Sequence, residues 1–213
     1  MEVEYKFYIA ENLKLEDLLQ SEFWSKYTEG AWTKHRFTAY YFDRPDYAFS
    51  KHKFALRVRA EDDEYVMTVK TPGTEEGTLS ARNEWNFPWF AKQPDLNFLI
   101  KNIGSELNQD NLELLKATEN SSLFSDIKTD VYRYIKNIKT DGTLIEVSVD
   151  KGKLYGGSKE APCYELELEL KEGSEEVLEQ EANKVQKFFN LEKGTESKMA
   201  RCARLRAASL KEK

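Results

Sequence analysis

The sequence predicts an α+β fold built on one large antiparallel sheet or barrel. Three observations lead there. Charged and apolar residues alternate in segment after segment, with the period of two that belongs to a β-strand. About eight such segments stand beside about five helical patterns, and the two kinds do not alternate strictly, which argues against a parallel α/β sheet. Tight-turn residues separate several of the strands.

The chain opens MEVEYKFYI, with Glu2, Glu4 and Lys6 at every second position and Val3, Tyr5 and Phe7 between them. A strand there has one charged and one apolar face. LEDLLQSEFWSKY follows as a helix, with Leu15, Leu18, Leu19, Phe23 and Trp24 on one side. Four strands come next: FTAYYF around Tyr40, FALRVRA around Arg57, YVMTVK around Thr68 and ARNEWNF around Glu84. Thr71-Pro72-Gly73 marks a turn among them. Two helices are expected between Asp95 and Lys116, parted near Gly104. KTDVYRYIKNI and TLIEVSVDKGKL then form strands joined by a hairpin at Asp141-Gly142. Gly156-Gly157 turns into the strand CYELELELK. A helix runs from Ser174, a capping residue followed by Glu175 and Glu176, to Phe189. The basic segment SKMARCARLRAASLKEK is helical to the end.

Composition narrows the function. Of 213 residues, 40% are hydrophobic and 13% aromatic, enough for a sizeable core. The net charge of −6 disfavours non-specific nucleic-acid binding. No apolar run is long enough to span a membrane, and the N-terminus does not read as a signal peptide. Cys163 and Cys202 are too few and too scattered for a disulfide framework or a zinc site, and are expected to be buried free thiols of a cytoplasmic protein.

The opening pattern returns along the chain. Arg57 and Arg59 alternate with Leu56 and Val58, and Thr68 and Lys70 with Met67 and Val69. Arg82 and Glu84 share a parity, and Arg133 sits between Tyr132 and Tyr134. Glu146, Ser148 and Asp150 alternate with valine and isoleucine, and Glu165, Glu167 and Glu169 with leucine. Two readings fit: a solvated sheet face, or a charged lumen in a sheet whose apolar face is covered by helices. Periodicity gives strand faces but not closure. A lumen with both signs has a use, since carboxylates hold hard divalent cations and arginine grips phosphate oxygens.

The ordered set of motifs resembles the CYTH superfamily of triphosphate tunnel metalloenzymes. Glu2-Val3-Glu4-Tyr5-Lys6 is similar to its ExExK signature, YFDRPDYAF with FALRVR to its "YFDTP … LRxR" segment, and VMTVK to the strand that ends in lysine. ARNEW, Arg133, IEVSVDKGKL, CYELELELKEG and SKMAR follow in the family's order, so the likeness covers nearly the whole chain. It implies one domain over residues 1–213, a closed antiparallel eight-stranded β-barrel wrapped by helices, and one or two Mg²⁺ or Mn²⁺ ions. By position it implies metal ligands at Glu2, Glu4, Asp150, Glu165, Glu167 and Glu169. It implies a triphosphate clamp of Lys6, Arg57, Arg59, Lys70, Arg82, Arg133 and Lys198, with Arg36 a weaker candidate. Lys6 and Glu84 are the candidate catalytic residues, Glu84 as a group that orients water. Arg201, Arg204 and Arg206 read as a solvated basic face, and His35 and His52 as surface residues.

The resemblance implies hydrolysis of a small triphosphate, foremost inorganic tripolyphosphate to pyrophosphate and phosphate, by a monomer or homodimer. Class IV-type adenylyl cyclase, thiamine or nucleoside triphosphatase, and a non-catalytic polyphosphate-binding module are the alternatives. No residue decides between water and a ribose hydroxyl as the attacking group.

Overall fold

The computed structural model describes residues 2–27, 30–76, 79–119 and 121–212. Its strands are β1 (Glu2–Tyr8), β2 (Thr33–Asp43), β3 (Ala55–Glu61), β4 (Glu64–Lys70), β5 (Thr74–Glu76), β6 (Leu79–Arg82), β7 (Glu84–Trp89), β8 (Phe124–Thr140), β9 (Thr143–Gly156), β10 (Lys159–Glu172) and β11 (Glu192–Lys193). Its helices are α1 (Leu15–Leu19), α2 (Ala48–Lys51), α3 (Leu96–Ile103), α4 (Gln109–Thr118), α5 (Glu175–Phe189) and α6 (Lys198–Leu210). The expected segment LEDLLQSEFWSKY splits into α1 and a 3-10 turn over Glu22–Lys26. Ser21 makes the break: its backbone leaves the helical region and its hydroxyl accepts from the Phe23 N–H.

Every pairing within the sheet is antiparallel, and the strand order is β5-β6-β1-β10-β9-β8-β2-β3-β4-β7, with β11 on β1. Asp141 and Gly142, at φ of 47° and 73°, make the two-residue turn between β8 and β9. β1 and β4 lie far apart along the strand order, yet Lys70 Nζ on β4 is 3.0 Å from Glu2 on β1. The sheet is therefore strongly curled.

The pairing is an open path, not the closed ring of eight strands expected. The expected strand ARNEWNF is interrupted at Asn83, so β6 pairs with β1 while β7 pairs with β4. The Asn83 carbonyl accepts from the Thr71 N–H, one step beyond the Lys70–Glu84 pair of the β4–β7 ladder. The two sheet margins are thus joined by the chain at Asn83 and at Thr71-Pro72-Gly73, and by side-chain ion pairs.

Two apolar clusters cover the outside of the curl. In one, Phe7, Val147, Val149, Leu166 and Leu168 pack against Leu178, Ala182 and Val185 of α5. In the other, Leu56, Val58, Met67 and Val69 pack against Leu99 and Ile103 of α3 and Leu115 of α4. α5 begins as predicted, with Ser174 Oγ accepting from the Val177 N–H. The third cluster lies within the curl: Phe37, Val131, Leu154 and Cys163 meet Cys202 of α6. Both cysteines are buried and free. Gly156 permits the close approach of α6, because a Cβ there would lie 2.1 Å from the Cys202 carbonyl oxygen. In YFDRPDYAF, Asp43 is structural: it accepts from the N–H groups of Arg44, Phe49 and Ser50 and from the Ser50 hydroxyl. Among the described residues no helix is long and apolar enough to cross a membrane.

Candidate functional site

Strand parity sends one set of charges inward. The apolar neighbours go outward to α3, α4 and α5, so the charged face meets a cavity of about 780 Å³. Register then places like charges opposite one another: Glu4 faces Glu169, Glu165 faces Asp150, and Glu169 faces Glu146. Such pairs are destabilising unless cations lie between them. The structure interleaves cations throughout.

The deepest group is Asp150, Glu165 and Glu167, all buried, with one carboxylate oxygen from each within 4.8 Å of the others. Arg133 grips Asp150 with two hydrogen bonds, of 2.7 and 2.6 Å, and reaches Glu167 at 2.8 Å. Lys198, at the first position of α6, lies 2.8 Å from Asp150 and 3.0 Å from Glu167, and it pairs with Glu165. Lys6 lies 3.4 Å from both Glu4 and Glu167.

A second group spans the seam between the sheet margins. Lys70 touches both oxygens of Glu2 at 3.0 Å and pairs with Glu84. Arg82 reaches Glu2 at 3.2 Å and Glu4 at 3.5 Å. Arg57 Nη2 donates to the Thr68 hydroxyl at 3.1 Å and lies 3.8 Å from Glu84. Arg57 Nε is buried with no hydrogen-bond partner among the described residues. Toward the rim, Arg59 pairs with Glu61 and stacks 4.6 Å from the Phe37 ring centre, while Lys171 lies 2.8 Å from Glu169.

The electrostatics follow from burial against neighbours. Burial pushes the Lys6 ammonium toward neutrality, but Glu4, Glu167 and Glu165 outweigh it and hold its pKa above the usual lysine range. Burial likewise opposes charge on Asp150 and Glu167, and the adjacent bases overcome it, so both carboxyls titrate below their ordinary range. At Glu165 burial wins, helped by Glu167, and its pKa is raised despite Lys198. Burial and then Arg57 pull the Arg59 guanidinium down to about 10.

Of the residues expected from sequence, Glu2, Glu4, Lys6, Arg57, Arg59 and Lys70 line the cavity. So do Arg82, Glu84, Arg133, Glu167, Glu169 and Lys198. Asp150 and Glu165 lie behind that wall, against Lys198. Glu169 is held by Lys171, outside the three-carboxylate group. Arg36 does not reach the site: it is exposed on the outer parity of β2, paired with Asp130 at 3.3 Å. Two arginines are misjudged by the solvated-face reading. Arg201 Nη1 donates to Glu165 at 2.8 Å, and Arg206 is buried beside Asp126 and the Tyr47 ring. The spacing of Lys198 and Arg201, three apart on one helix face, is the signal that would have found the first. Glu61, Asn86, Glu146 and Lys171 also line the cavity, the last two on the inward parity of β9 and β10.

The comparisons with known proteins agree with this layout. The CYTH domain profile matches residues 1–203. An inorganic triphosphatase of Haemophilus influenzae is 33% identical over 138 residues, which are 65% of this chain and 37% of that protein. The match therefore covers well under half the length of that relative. Among solved structures, a Hippeastrum adenylyl cyclase candidate described as having a dominant triphosphatase activity superposes with a TM-score of 0.63 at 16% identity, over 95% of both chains. An adenylate cyclase candidate of Bacillus halodurans gives 0.54 at 20% identity, over 94% of this chain and 96% of the other. PH1819 of Pyrococcus horikoshii gives 0.52 at 17%, over 100% of each. At these identities the structures speak for the fold alone. Motif order, the curled sheet with its charged inner face, and a profile match over nearly the full length agree: the chain belongs to the CYTH family.

Proposed function

We propose that the protein is a metal-dependent triphosphatase that hydrolyses inorganic tripolyphosphate to pyrophosphate and phosphate. The observation that carries this reading is one cavity whose wall of arginine and lysine also carries Glu167, with Asp150 and Glu165 of the same buried three-carboxylate group directly behind it. A linear triphosphate carries several negative charges and enters a partly dry cavity only if they are offset. Arg57, Arg59, Lys70, Arg82 and Arg133 supply that offset along the wall and fix the phosphates in line, which provides positioning. Arg57, with a buried donor to spare, is the base best placed to take a phosphate oxygen. Ring closure of the sheet around the substrate belongs to the same proposal, with Lys70 and Glu2 meeting across the seam.

The donor set fits a hard divalent cation such as Mg²⁺ or Mn²⁺, since Asp150, Glu165 and Glu167 offer only oxygen and lie within 4.8 Å of one another. When bound, such a cation would supply positive charge to offset the negative charge that develops on the phosphoryl oxygens. Glu2 and Glu4 are its further candidate ligands from the seam side. Lys6, kept charged between Glu4 and Glu167, donates to the phosphoryl oxygens. Glu84, held by Lys70 and Arg57, orients the attacking water. Water oxygen bonds to the terminal phosphorus, the bridging P–O bond breaks, pyrophosphate leaves, and the proton that the water loses passes to solvent.

The test is a substrate panel: tripolyphosphate, ATP, thiamine triphosphate and pyrophosphate, each with Mg²⁺, Mn²⁺ or chelator. Fast metal-dependent phosphate release from tripolyphosphate, with little from ATP, is expected. Cyclic AMP from ATP would move the protein to the cyclase reading. Binding without turnover on any substrate would leave a polyphosphate-binding module.

A further inference from the structure

Arg201 belongs to neither the metal, the phosphate nor the catalytic set expected from the sequence, and it does not line the cavity. It approaches the three-carboxylate group from behind. Its Nη1 donates to Glu165 Oε2 at 2.8 Å, and its Nη2 donates to the Pro162 carbonyl at 3.0 Å. The guanidinium carbon lies 5.1 Å from the centre of the Tyr8 ring. Tyr8 is itself fixed, because its hydroxyl accepts from the Glu196 N–H at 3.1 Å, just before α6. Three contacts on two strands, β10 and β1, therefore hold one planar fork. Glu165 is fully buried, and its other oxygen, Oε1, faces Lys198 on the side of Asp150 and Glu167.

We propose that Arg201 is a positioning residue: by holding Glu165 Oε2 against β10, it aims Oε1 at the oxygens of Asp150 and Glu167, where a divalent cation binds. The proposal rests on the metal reading above. A fork locked by a backbone carbonyl and an aromatic face fixes direction as well as charge, which a lysine ammonium does not. Partners of this kind, one step behind a metal ligand, typically alter metal affinity by about 10–100-fold when removed.

Charge alone predicts the opposite sign. Arg201 is a cation beside a site for a cation, so simple repulsion makes Arg201→Ala bind metal more tightly. Positioning makes it bind more weakly. The experiment is Mn²⁺ titration of the full chain without substrate, by calorimetry and by paramagnetic resonance of free Mn²⁺. It compares wild type, R201A, R201K and E165Q, with melting temperatures in parallel. A wild type that binds no Mn²⁺ overturns the metal reading itself. Given a wild type that binds, R201A is expected to weaken binding about tenfold or more, and R201K, which keeps the charge but not the fork, to weaken it as well. Unchanged or tighter binding in a folded R201A overturns the positioning role. Should R201A not fold, wild-type affinity in R201K overturns it equally. A lowered melting temperature with unaltered Mn²⁺ affinity would make Arg201 a latch for α6 and nothing more.

Discussion

Asp150, Glu165 and Glu167 have side chains 1%, 0% and 9% exposed, whereas Glu2 and Glu84 are each 12% exposed. The deep three stand on β9 and β10, neighbouring strands in the middle of the path, and their mutual geometry is fixed by a continuous ladder. Glu2 and Glu84 stand where two margins meet, and Lys70 pairs with both across the seam. The same residue types thus occur in a rigid setting and in an adjustable one. A preassembled oxygen set suits a cation, which demands geometry. A seam of paired long side chains suits a flexible polyanion, whose oxygens exchange places with the carboxylates.

That contrast can be broken at either group. Glu167→Gln removes a charge shared by Lys6, Arg133 and Lys198, and turnover is expected to fall by about a hundred- to a thousandfold with tripolyphosphate binding still measurable. Near-normal turnover in that variant would remove Glu167 from the site. Arg57→Ala is expected to raise KM about tenfold or more, with kcat changed less, because a buried charged donor is lost from the wall. Unchanged KM would mean that Arg57 does not meet the phosphates. Glu2→Gln leaves Lys70 and Arg82 with weaker partners at the seam, and a smaller effect is expected, about tenfold at most.

The smallest effect lies outside the cavity and leaves turnover alone. Glu181 on α5 is buried and accepts from Tyr27 and Lys184. Burial raises its pKa, but these donors outweigh it, so the folded value lies below the ordinary one. A depressed carboxyl contributes stability that is present above the unfolded pKa and lost as pH falls through the folded pKa. Wild type should therefore lose its advantage over Glu181→Gln, about 1–3 kcal/mol near neutrality, as the pH falls below the ordinary glutamate range. Denaturant unfolding at several pH values checks this, and an advantage that does not vary with pH would contradict it.

Much of this was legible in the sequence because strand parity is local. Glu2, Glu4 and Lys6, or Glu165, Glu167 and Glu169, must share a face once the segment is extended. The helix from Ser174 and the turn at Asp141-Gly142 were legible for the same reason, since capping and positive φ are properties of a few adjacent residues. What escaped depends on neighbours distant in the chain. Nothing local says that the strand around Asn83 divides its two halves between β1 and β4, or that the margins meet there. Arg201 and Arg206 look like a solvated stripe until α6 is seen to lie within the curl, where Glu165 and Asp126 await them. Arg36 failed in the other direction: it was expected just before the strand FTAYYF, but β2 begins at Thr33 and its parity points Arg36 outward to Asp130.

The central claim is that the deep carboxylates serve a cation and the wall bases serve the phosphates. Phosphate release from tripolyphosphate, measured for wild type, Glu167→Gln and Arg57→Ala across a range of Mg²⁺ and substrate concentrations, tests it most directly. The account predicts that release stops with chelator, that Glu167→Gln lowers kcat and raises the Mg²⁺ requirement, and that Arg57→Ala raises KM at an unchanged Mg²⁺ requirement. Release that persists in chelator, or two variants with the same Mg²⁺ and substrate profiles, would contradict it.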